Sequence, residues 1–169
     1  MHTLRRPGRA RDTVAVLYIA QVLLFFVIAP ITATAIDVAT TGHGLVAAGT
    51  FWFVFFGGVR LLIAGISQAA NPAFTVHNIL GQKDPNPGAN HLAQELGYAN
   101  LGLGALGVVG PWLGWAPAGA LAMGVFLVIA GLRHVAKRGK GAKEWVATVT
   151  DLAFGAVLLL AFVLAVIPA

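Results

Sequence analysis

Residues 60–100 read RLLIAGISQAANPAFTVHNILGQKDPNPGANHLAQELGYAN. The stretch closes one apolar run, crosses the longest polar connection in the chain, and opens a second apolar run. Arg60 lies inside the first run and Glu95 near the start of the second, with His77, Asn78, Asp84 and His91 between them. Most of the chemistry the chain owns is here. Outside it the sequence is mainly hydrocarbon with basic ends.

Composition sets the class. The 169 residues are 58% hydrophobic and 10% charged, with a mean hydropathy of +0.82. A soluble domain carries about a quarter of its residues as charges, which form its polar skin. This chain cannot build one. The fold expected is all-α, an integral membrane bundle of about five transmembrane helices. The absence of cysteine excludes disulfides, thiolate metal sites and cysteine catalysis. The net charge of +5 sits in two short clusters beside apolar runs. That is the placement of orientation signals, and it argues against nucleic acid as a partner.

Residues 1–12 form a basic leader with no apolar periodicity, and 13–169 a single transmembrane domain. The apolar runs place spans at about 13–36, 45–69, 91–109, 118–132 and 144–167. A helix crosses a hydrocarbon core of about 30 Å with about 20 residues. Pro30 predicts a kink or break late in the first span. An alternative for that segment is a cleaved signal peptide ending near Ala33-Thr34-Ala35. The run exceeds the usual apolar length of about 7–15 residues, which favours a retained helix. Asp84-Pro85-Asn86-Pro87-Gly88 reads as a turn, and 37–44 as a short polar turn in which His43 is solvated. The glycine-rich third span is expected to be the most buried helix, since small residues let backbones approach in lipid.

Five spans put Arg5, Arg6, Arg9, Arg11, Lys83, Arg133, Lys137, Arg138, Lys140 and Lys143 on one side and no Lys or Arg on the other. The positive-inside rule then predicts a cytoplasmic N-terminus and an external C-terminus.

An arginine in mid-span costs about 2.5–3.5 kcal/mol on insertion scales, so Arg60 is expected to find a partner in the bundle. Asp151, two turns into the fifth span, and Glu95 are the candidates, with Asp151 preferred on depth. The polar cluster expected on the inner half comprises Arg60, His77, Asn78, His91, Glu95, Asn100, His134 and Asp151. His91 and Glu95 stand at i and i+4, the spacing of a helical metal pair. Capping by His91 and dipole compensation by Glu95 are the preferred reading of the pair. With no third and fourth ligand nearby, neither a metal nor a cofactor is expected. Ser67, the only serine, has no acid–base neighbour in sequence, and no hydrolase or phosphate-loop motif is present.

The pattern ILGQ at 79–82 with ANHLAQELGYANLGLGALGVVG at 89–110 resembles a family of small bacterial membrane proteins of unknown function. The matching core is Glu95, Gly97, Ala99, Asn100 and Leu101, and Gly131, His134 and Asp151 also look like family positions. The family's aromatic-rich loop is replaced here by DPNPG. A more distant likeness is to DoxX-like membrane proteins, some associated with quinone chemistry. The resemblance implies a bacterial inner-membrane location. Three functions follow as expectations. The first is a helix-packing accessory or scaffold subunit. The second is a transporter or channel component with an inward polar cavity lined by Arg60, Glu95 and Asp151. The third is a quinone-linked oxidoreductase subunit. The partners implied are the lipid bilayer and, through the third helix, a second copy or another membrane subunit.

Overall fold

Apolar runs of span length must satisfy every backbone group internally when they leave water, and helices do so. The computed structural model describes residues 16–79, 87–136, 139 and 141–167. These form an all-α bundle of five helices, each long and apolar enough to cross a membrane: α1 Val16–Thr41, α2 Leu45–Ala70, α3 Pro87–Val109, α4 Ala116–Ala136 and α5 Ala142–Val166. Among the described residues there is no strand. The start of α1, the connection after α2 and the connection between α4 and α5 share one side, called here the leader side. The other is the far side. The leader cations Arg5, Arg6, Arg9 and Arg11, together with Lys83, Lys137, Arg138 and Lys140, lie outside the described residues, as does the Lys143 side chain.

Three boundaries differ from the sequence reading, each for a local reason. Helix α1 runs through Asp37 to Thr41, because Thr40 and Thr41 each donate back to the carbonyl four residues earlier. Only residues 42–44 remain as the turn, and Gly42, at φ 75°, supplies the left-handed stop. Helix α3 begins at Pro87, inside the expected turn, where a missing N–H is harmless at a first helical position. Helix α4 has 21 residues and is not short, because Arg133 and His134 form its last turn. Pro30 neither breaks nor ends α1. It cannot donate to the carbonyl of Phe26, and the ladder slips into a π segment, Leu24–Ile28, with Ala29 N–H bonding to Leu24 O.

The centre of the bundle is α2, which touches all four other helices. The expectation that α3 would be the most buried helix is corrected. Its glycines serve mainly α2, and Gly107 also makes room for Met123 of α4. A Cβ on Gly58 would lie 2.6 Å from the Gly107 carbonyl carbon, and one on Gly104 would lie 2.7 Å from the Leu62 nitrogen. Gly65 and Gly97 meet in the same way one level nearer the leader side. Helices α4 and α5 form a second tight pair, in which Gly124 and Gly155 approach each other and Gly131 accommodates Leu152. Between the pairs lies the core: Val22 and Phe26 from α1, Val54 and Leu61 from α2, Met123 and Leu127 from α4, and Phe154 and Leu158 from α5.

Candidate functional site

Glu144, Thr148 and Asp151 stand at i, i+4 and i+7 on α5, so they share one face. That face points into the bundle. Glu144 and Thr148 are buried and Asp151 half-buried. From α4, His134 Nδ1 approaches Glu144 Oε1 at 3.5 Å. Thr148 donates its hydroxyl to the Glu144 carbonyl at 2.6 Å, which commits its proton and leaves its lone pairs. Asp151 and Arg60 of α2 act on each other electrostatically, and no direct ion pair joins them among the described residues. The Arg60 guanidinium carbon lies 5.5 Å from the centre of the Tyr18 ring, a cation–π contact in the first described turn of α1. The Arg60 Nε atom is buried and makes no hydrogen bond among the described residues.

The result is a polar column that starts at the leader-side mouth with His134 and Glu144. It ends at Arg60, Tyr18 and Asp151, and Glu144 and Asp151 are separated by two turns, about 10 Å along the helix. One turn beyond Asp151 the column is closed. The Phe154 ring stacks on Phe26 at 4.1 Å and 13° and on Phe53 at 5.7 Å and 27°. Beyond this aromatic plug, Val54, Met123 and Leu158 are fully buried.

The sequence-predicted residues divide into three groups. Arg60 and Asp151 come together at the inner end of the column, and His134 stands at its mouth beside Glu144. Asn100 packs between α2 and α3, where its amide donates to Gln68 Oε1 at 2.6 Å. His91 and Glu95 pair with each other at 3.3 Å on the outside of α3, with side chains 70% and 58% exposed. Glu95 is therefore not part of the column and not the partner of Arg60. No third His, Asp or Glu joins this pair among the described residues. His77 is exposed on the leader-side connection, and the side chain of Asn78 lies outside the described part. Arg133 is exposed. Sequence reasoning missed Glu144 and Tyr18. Glu144 enters the sequence reading only as the first residue of the fifth span, although its i, i+7 spacing to Asp151 is readable.

On the far side His43 is solvated as expected, its side chain 64% exposed, yet it is not isolated. Asp37 accepts from Thr41 Oγ1 at 2.6 Å, from His43 Nδ1 at 2.8 Å and from Trp52 Nε1 at 2.9 Å. One carboxylate thus ties the end of α1, the turn and α2 together. Trp52 in turn packs on Phe51, Phe55 and Phe56. Asp37→Ala should lower the melting temperature in detergent, because three donors lose their carboxylate acceptor. Trp52→Phe keeps the ring and loses one of those bonds. The double variant should melt no lower than Asp37→Ala alone. Additive losses would show that Trp52 and Asp37 act independently.

No protein-family model, curated protein or solved structure matches this chain. Function is therefore argued from the geometry of the column.

Proposed function

We propose that the chain is a transport component of a bacterial inner membrane, in which the polar column carries a small charged species from the leader side to mid-bilayer. The leader side is cytoplasmic in this reading, because the basic residues gather there. The observation that carries it is that buried Glu144 and half-buried Asp151 and Arg60 stand on facing helices beneath an aromatic plug. Ionisable groups inside a span are costly, and they mark pathways more often than packing requires. The column is dead-ended at Phe26, Phe53 and Phe154, so conduction needs the plug to open. The test is flux into proteoliposomes against a panel of small ions and zwitterions. Asp151→Asn should abolish whatever flux the wild type adds over empty vesicles. Wild type indistinguishable from empty vesicles for every solute would end this reading.

A second reading has its own support. The two glycine-tight hairpins leave much of each helix as exposed apolar surface, which suits a helix-packing accessory subunit. Native mass measurement in lipid nanodiscs would show a defined oligomer or hetero-complex if that is the role, and a monomer if it is not.

A further inference from the structure

We infer that the species carried is the proton, with Glu144 and Asp151 as successive carriers, an inference that rests on the transport reading above. Charge balance separates the candidates. A metal cation reaching Asp151 would meet the fixed positive guanidinium of Arg60, and the column offers no further carboxylate there to offset it. An inorganic anion reaching Arg60 would first have to pass Glu144, whose side chain is 3% exposed. A proton is the cation that fits best, since it is held covalently by a single carboxyl group, needs no second carboxylate to complete a ligand shell, and passes Glu144 by neutralising it.

The groups facing Asp151 fit this use. Helix α1 presents the Tyr18 hydroxyl and α2 presents Arg60, both of which act on Asp151 or on each other electrostatically. Helix α4 presents no titratable group at this depth: Gly131 receives Leu152 and Val128 packs on Gly155. Helix α3 lies on the far flank of α2 and meets it through glycines. On α5 itself the next acid is Glu144. A protonated imidazole at His134 breaks its N–H bond and forms an O–H bond on Glu144, across the 3.5 Å separation. His134 becomes neutral and so does Glu144. The span from Glu144 to Asp151 is about 10 Å, too long for one transfer. Thr148 lies between them on the same face, with lone pairs free to orient an intervening water, through which Glu144 gives up its proton as Asp151 gains one. Neutralising Asp151 removes the negative charge facing Arg60 one turn below Phe154, at the element that must move for the plug to part.

The experiment uses the full-length protein in proteoliposomes with an entrapped pH-sensitive dye and a potassium potential set by valinomycin. Wild type should change lumenal pH, and Asp151→Asn should cut that rate by about a hundredfold, the low end for loss of an acid–base group. Glu144→Gln should do the same, and Asp151→Glu should retain flux. If Asp151→Asn fails to fold, the comparison passes to infrared spectra of the wild type. There, acidification should raise a protonated-carboxyl band that Asp151→Glu displaces. Flux of another solute, sensitive to Asp151 but without proton movement, would overturn the proton and leave the transport reading standing. A wild-type proton flux that Asp151→Asn and Glu144→Gln both keep would overturn the relay. No flux of any species, with no such band, would overturn both.

Discussion

Gly58→Ala should unfold in detergent at a clearly lower temperature than the wild type, while Gly102→Ala should melt slightly above it. Both replace a glycine in the middle of a helix, and alanine is the better helix former by about 1 kcal/mol. Propensity alone therefore predicts stabilisation in both cases. Packing reverses the sign at one position only. A Cβ at Gly58 would lie 2.6 Å from the carbonyl carbon and 2.7 Å from the Cα of Gly107. Those atoms are backbone and cannot swing aside, so α2 and α3 must separate. At Gly102 nothing stands within 4 Å. Overpacking costs about 1–3 kcal/mol and occasionally more, and a backbone clash belongs at the upper end. A loss of about 3 kcal/mol corresponds to a fall of about 6–12 °C in a chain of this length. Thermal denaturation of the two variants, followed by circular dichroism, checks it. Equal melting temperatures would show that α2 and α3 are not in close backbone contact.

That contrast also marks how far the sequence could be read. The spans were legible, because about 20 apolar residues in a row have few other uses. The glycines of the third span were legible as a close-packing face. Their destination was not, because a face of small residues does not say which neighbouring helix fills it. A signal was there: Gly58 and Gly65, Gly97 and Gly104, and Gly124 and Gly131 each repeat at seven residues, two helical turns. Arg60 and Asp151 stood out because charge in hydrocarbon is expensive. Glu144 did not, because its burial depends on His134 reaching it from another helix. The Asp37 hub was hidden for a different reason. Asp37, the paired threonines and the glycines around His43 carry the composition of a loop, and only the Trp52 indole, fifteen residues on, reveals that the carboxylate is held. Tyr18 offered no signal at all. Which residue an arginine's plane settles on is decided by side-chain direction across helices.

Arg60→Leu should be the most damaging single change on the column, and Asp151→Leu in the same chain should restore part of the loss. The guanidinium is held by the Tyr18 ring at 5.5 Å and by the field of Asp151. Removing it leaves Asp151 on the buried face of α5 with no opposing charge, since His134 is engaged by Glu144 and Arg133 is exposed. Stranding one member of a buried pair costs about 3–5 kcal/mol, and here the lower end applies because the two groups interact through space and share no direct bond. Replacing both by apolar side chains removes the stranded charge together with its cost. The double variant should therefore be more stable than Arg60→Leu alone, by a coupling of about 1–2 kcal/mol, within the range for residues that share one network. Glu95→Leu serves as the control. Its carboxylate is exposed and paired with His91 on the outer face of α3, so it should show no coupling to Arg60. Thermal melts of the four-variant cycle in one detergent decide the matter. Additivity of Arg60→Leu with Asp151→Leu would mean that Arg60 is held by Tyr18 alone, and that the charge opposite Asp151 does nothing for the fold.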